Sequence, residues 1–172
     1  MYRSLVSRLR NGKKHEEGFT LVELLVVIGI IVVLFSVILV AIDPARRLKQ
    51  ARDAVRRQDV RDILEAVQEY IVDNDGTIPA AIDSTTGTYQ VIGTDTSGCS
   101  TTCGLSGTET TSCADLTTEL VSSTVSYLAS MPADPSTGDA ANTDYAINQT
   151  SSGHIVIAAC DPEVATSISV ER

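Results

Sequence analysis

From Phe19 to Ile42 the chain reads FTLVELLVVIGIIVVLFSVILVAI, 24 residues in which Glu23 carries the lone charge. A helix of that length is about 36 Å long, enough to cross a hydrocarbon core of about 30 Å. The pattern then changes period. Leu48, Ala51, Val55, Val60, Ile63, Leu64, Val67, Tyr70 and Ile71 recur at three- and four-residue spacing, which predicts an amphipathic helix over 45–73. Pro44 stands between the two segments and predicts a kink or local opening, and Gly29 is a second weak point. Asn74-Asp75-Gly76 supplies turn chemistry to end the second helix, with Pro79 beyond it.

The later part of the chain is patterned differently. Residues 85–112 hold ten Thr, four Ser and five Gly among 28, a composition that buries little and predicts a long loop. Tyr89-Gln90-Val91-Ile92 reads as a short edge strand inside it. Leu116, Leu120, Val121, Val125 and Leu128 predict one short helix, broken near Ser122-Ser123 and stopped by Pro132. Tyr145–Asn148 and His154–Ala159 predict strands joined by a turn at Thr150-Ser151-Ser152-Gly153, and a last strand is expected over Thr166–Val170. The fold class is therefore α+β, a long N-terminal helix packed on a small antiparallel sheet. Four segments follow: a leader over 1–18, a membrane-spanning helix over 19–42, its amphipathic continuation over 43–75, and a distal α+β domain over 76–172.

Charge sharpens this division. The net charge of the 172 residues is −9. Residues 1–18 carry five basic and two acidic side chains, so the remainder holds 8 basic and 20 acidic residues, a net of −12. Such a surface repels phosphate, and direct nucleic-acid binding is not expected. Seven basic residues nevertheless crowd the second helix: Arg46, Arg47, Lys49, Arg52, Arg56, Arg57 and Arg61. They read as a solvated face or as a surface for anionic lipid heads or acidic patches on neighbouring copies. Asp43/Arg47 and Asp53/Arg57 stand at i,i+4 and are expected to pair. With basic residues on both sides of the span, charge counting does not fix its orientation.

Cys99, Cys103, Cys113 and Cys160 all lie in the distal part, and an even number there points to two disulfides. Of the three possible pairings, Cys99 with Cys103 and Cys113 with Cys160 is the one expected, since a bridge at 99–103 would pin the loop. Asp134, Asp139 and Asp144 cluster hard oxygen ligands and are calcium candidates, although their spacing does not fit an EF-hand loop. No other cofactor is expected. No phosphate loop, metal-binding helix pair or nucleophile elbow is present, and His154 begins a strand. The chain does not read as an enzyme.

The string Gly18-Phe19-Thr20-Leu21-Val22-Glu23-Leu24, set between a basic leader and a long apolar helix, resembles the prepilin signal of type IV pilins and type II secretion pseudopilins. That resemblance implies cleavage after Gly18 by a prepilin peptidase and methylation of the new Phe19 amine. It implies that Glu23 helps subunits enter a growing filament, by pairing with the amine of a neighbour. The implied partners are copies of the chain and other pilins, the peptidase, an inner-membrane assembly platform and lipid. The implied location is a single-pass membrane protein with its N-terminus in the cytoplasm, later a surface or periplasmic filament. Met131-Pro132-Ala133-Asp134-Pro135 and Asp144-Tyr145-Ala146-Ile147 resemble late stretches of major pseudopilins, which makes a secretion pseudopilin the alternative within the family. A membrane-anchored binding domain that never polymerises is the alternative outside it.

Overall fold

In the computed structural model the described residues are 18–99, 103–105, 107, 112–122 and 124–172. The leader ahead of Gly18, much of the Thr/Ser-rich loop and Ser123 lie outside them. The chain divides into two compact units, one ending at Asp43 and one running from Pro44 to Arg172.

The first unit contains α1, Leu21–Ile42. It is apolar around its whole circumference, and all of its residues are exposed. At 22 residues it is about 33 Å long, and it is long and apolar enough to cross a membrane. It ends where Asp43 adopts a left-handed conformation (φ 44°, ψ 78°), ahead of Pro44. The break predicted at proline therefore falls one residue before it. Proline disfavours the helical conformation in its predecessor and is itself well suited to a first helical turn.

The second unit is built on α2, Pro44–Asp73. Four strands follow in an antiparallel sheet of order β1-β2-β3-β4: Gln90–Val91, Tyr145–Gln149, Ile155–Ala159 and Ser169–Glu171. The register pairs Tyr145 with Ala159 and Ile147 with Ile157. Alternation sends Tyr145, Ile147, Ile155, Ile157 and Ala159 to one face, where they pack with Val60, Ile63, Leu64 and Val67 of α2. Ala146 turns to the other face and packs with Val91, Cys99, Cys113 and Cys160. β3 is buried throughout, which explains its continuous apolar run IVIAA.

Three expectations change here. The helix predicted from Leu116 is a single turn, α3, Thr117–Leu120. After it the chain doubles back, and Tyr127 and Leu128 both donate backbone N–H bonds to the Leu120 carbonyl. The last strand begins at Ser169 rather than Thr166, because Asp53 captures the preceding loop (below). Leu48 and Val55, which continue the apolar pattern of α2, are 62% and 46% exposed. The packed face of α2 instead runs through Asp53, Arg56, Val60, Ile63 and Val67.

Candidate functional site

Gly18 and Phe19 precede α1 outside any helix or strand. A Cβ added at Gly18 would meet nothing within 4 Å, and Phe19 is 90% exposed. Thr20 is the N-cap, with φ −77° and ψ 152°. Its Oγ1 accepts the Glu23 N–H at 3.2 Å. The Glu23 carboxylate reaches back, and its Oε2 accepts the Thr20 N–H at 2.9 Å and the Thr20 hydroxyl at 2.8 Å. This is a capping box, with two orphan donors of the first turn satisfied reciprocally. Glu23 thus has a partner in its own chain. The sequence holds the signal for it, Thr-x-x-Glu ahead of an apolar run, but the expectation looked for the partner only in a neighbour. The backbone N–H that Glu23 holds is one residue beyond the nitrogen that cleavage after Gly18 would convert to an amine.

In the second unit the charged residues of α2 are not all solvated. Arg56 is wholly buried. Its Nε and Nη2 donate to the two carboxylate oxygens of Asp134 at 2.5 and 2.9 Å, and Nη2 also reaches Ser136 Oγ at 2.8 Å. Its Nη1 donates to Asp53 Oδ1 at 3.0 Å. Asp53 in turn accepts the backbone N–H groups of Glu163, Val164 and Ala165 at 2.9, 2.8 and 2.8 Å. Arg52 forks onto Glu163 at the rim, with Nη2 to Oε2 at 2.8 Å. The expected Asp53/Arg57 pair is therefore replaced by Asp53/Arg56, since Arg56 and Asp53 share the buried face. Tyr145 donates its hydroxyl to Asp59 at 2.6 Å beside this centre.

These contacts set the ionisation of the centre. Burial pushes the Asp53 carboxyl up, but the N–H groups of Glu163, Ala165 and Val164, with Arg56, outweigh it and hold the carboxyl at about 2. Burial likewise opposes ionisation of Asp134, and the Arg56 fork and Ser136 overcome it, so Asp134 lies below the ordinary carboxylate range. Burial raises the Tyr145 hydroxyl, and Asp59 beside it raises it further.

The cysteines pair otherwise than expected. Cys99 bonds Cys113, with Cα atoms 5.2 Å apart, and Cys103 bonds Cys160, with Cα atoms 4.7 Å apart. The reason is tertiary. A parallel bridge between Ile92 and Ala114 brings Cys113 alongside the segment that leaves β1. Cys160 stands at the end of β3, where its N–H donates to the Asp144 carbonyl. Both bridges therefore tie the Thr/Ser-rich loop to the sheet face opposite α2.

The calcium candidates do not converge. Both oxygens of Asp134 are engaged by Arg56. Asp139 Oδ1 accepts the N–H groups of Ala141 and Asn142 and closes a turn. Asp144 is buried in a left-handed conformation (φ 56°). Among the described residues no group of three His, Cys, Asp or Glu is placed to hold a metal ion.

Comparison with known proteins bears on the first unit. Residues 13–39 match the prokaryotic N-terminal methylation motif, a stretch covering Gly18, Phe19, Glu23 and most of α1. No curated protein and no solved structure matches the chain. On the evidence of that motif, which runs through most of an exposed apolar helix, the chain carries the prepilin-type signature of type IV pilins and pseudopilins.

Proposed function

We propose that the chain is the precursor of a filament subunit of the type IV pilus kind, cut after Gly18 and assembled through α1. The observation that carries this reading is the arrangement at the head of the helix. An unobstructed Gly18-Phe19 bond stands ahead of an exposed, largely apolar helix of 22 residues whose lone charge, Glu23, lies in the first turn. Hydrolysis of that bond gives Phe19 a free α-amine, to which the peptidase transfers a methyl group from a sulfonium methyl donor, the amine losing a proton and the donor leaving as a thioether. A carboxylate within a bilayer costs about 2.5–3.5 kcal/mol, less near an end. The Thr20 cap offsets part of that cost in the single chain. The amine of an adjacent processed copy offsets more of it, and the pairing sets the axial register of packed helices.

In this reading the N-terminus faces the cytoplasm, where the peptidase and the assembly platform act. The second unit lies beyond the membrane, where its two disulfides persist. The work of the protein is mechanical. Mass spectrometry of the protein recovered from cells that contain the peptidase tests the reading. The expected N-terminus is N-methylated Phe19, and an intact leader in mature protein would refute it.

A further inference from the structure

Helix α2 is segregated by charge and by apolar exposure at its two ends. Its first turns stand clear of the packed face. There Leu48 is flanked by Arg47 and Lys49, each about 100° round the helix from it. Ala51 and Val55 extend the same uncovered apolar stripe. At the other end of α2 lies an open groove of about 510 Å³ between the helix and the chain at Val125–Tyr127. Its walls are apolar at Val72, which is 78% exposed, and at Tyr127, and acidic at Glu65, Glu69 and Asp73. One cation, Arg172, stands at its edge and is engaged with Gln68 at 3.0 Å.

The two surfaces are opposite in charge and alike in apolar character, yet they lie at opposite ends of one helix and cannot meet within a chain. We propose that the groove is the docking site for the first turns of α2 of a second copy. Leu48 of that copy enters beside Val72 and Tyr127, and its Arg47 and Lys49 face Glu65 and Glu69. The contact is heterologous, with different surfaces on the two copies, so it propagates along an open assembly rather than closing a dimer. With the helices parallel, 18 residues separate Arg47 from Glu65, 20 separate Lys49 from Glu69 and 24 separate Leu48 from Val72, which brackets the axial offset between copies at roughly 27–36 Å. The proposal rests on the filament reading and names the contact that sets its pitch outside the apolar bundle. Anionic lipid heads would suit Arg47 and Lys49 equally, but they would leave the acidic groove without an occupant.

A charge exchange in the full chain separates these readings. In cells that contain the peptidase and the assembly platform, Glu65→Lys/Glu69→Lys should lower filament yield about fivefold relative to the wild-type chain, with processed protein in the membrane unchanged, the size expected for replacing two rim ion pairs with like-charge contacts. Arg47→Glu/Lys49→Glu should do the same. The four substitutions together should restore the yield toward wild type. Wild-type yield from either double variant overturns the docking and leaves the filament reading intact. Loss in Arg47→Glu/Lys49→Glu with no restoration in the fourfold variant assigns those cations to lipid and also overturns it. A wild-type chain that forms no filament sinks the filament reading itself, and the docking with it.

Discussion

Arg56 and Asp134 form a two-point guanidinium–carboxylate pair inside the domain, 78 residues apart in the chain and both fully shielded from water. The pair fastens α2 to the Pro132–Pro135 segment. Asp53, one turn away, fastens the same helix to residues 163–165. The position of α2 on the sheet is therefore fixed by ionic anchors as well as by its apolar face.

Removing one member strands the other. Asp134→Ala leaves a buried guanidinium without its main partner and should cost about 3–5 kcal/mol of stability. Arg56→Met should cost a similar amount through Asp134 and Asp53. Replacing Arg56 and Asp134 together by apolar residues of similar size should cost markedly less than either single change. Urea unfolding of the detergent-solubilised chain measures all three. Near-additive losses would show that the two residues act separately.

The acid limb of stability should carry the mark of Asp53. Its carboxyl is held at about 2 in the folded chain, against 3.8 ordinarily. A group depressed in this way contributes stability that is complete above the unfolded value and lost as pH falls through the folded one. Stability should therefore decline between about pH 4 and pH 2, with Asp134 adding in the same direction. Asp53→Asn should be less stable at neutral pH and should show a shallower decline over that interval. An unchanged acid slope in Asp53→Asn would show that Asp53 is not its source.

Peptide mapping without reduction should recover Cys99 joined to Cys113 and Cys103 joined to Cys160. Cys103→Ser/Cys160→Ser, which opens a connection spanning 57 residues, should lower stability by about 2–5 kcal/mol. Recovery of a Cys99–Cys103 peptide would contradict the placement of the loop on the sheet.

Gly93 and Gly138 are held by close backbone contacts. A Cβ at Gly93 would collide with the Ala141 carbonyl, and one at Gly138 with the Asp134 amide and the Thr143 carbonyl. Neither obstacle is a side chain that can rotate away. Gly93→Ala and Gly138→Ala should each cost about 1–3 kcal/mol, by the same unfolding measurement. By contrast Gly29→Ala, whose Cβ would meet nothing within 4 Å in the single chain, should leave the unfolding of the chain unchanged.

Glu23→Ala removes the carboxylate half of the capping box and, on the filament reading, the proposed partner of a neighbour's Phe19 amine. Membrane insertion should be retained and filament yield lost. Thr20→Ala removes the hydroxyl of the cap and leaves the Glu23 carboxylate in place. It should insert normally and assemble far better than Glu23→Ala. Equal defects in the two variants, scored by sheared-filament recovery, would assign the role of Glu23 to helix capping alone.

The parts of this fold that are visible in the sequence are those with a local period. The run at Phe19–Ile42, the i,i+3/i+4 spacing from Val60 to Ile71, and the short apolar runs of β2 and β3 bounded by turn residues each place an element within a few residues of where it forms. Arg56 escaped because its partners lie far along the chain, and the basic residues around it made it look like one of a solvated group. Its phase was a usable sign, since it stands four residues before Val60 and seven before Ile63, on the buried face. The disulfide pairing had no such sign, because it depends on Ile92 meeting Ala114, a contact made only once the loop folds back on the sheet. Thr20 was legible as the start of Thr-x-x-Glu, but the apolar run drew attention to Glu23 alone.

The reach of Asp53 also imposes an order of events on biosynthesis. Its farthest amide partner, Ala165, is made 112 residues later. At 5–20 residues per second that is a wait on the order of 10 s. Throughout it α2 carries a charged face with no permanent seat, and native packing of the helix cannot be completed. The nascent domain therefore stays unlocked until the last anchor of Asp53 has been translated.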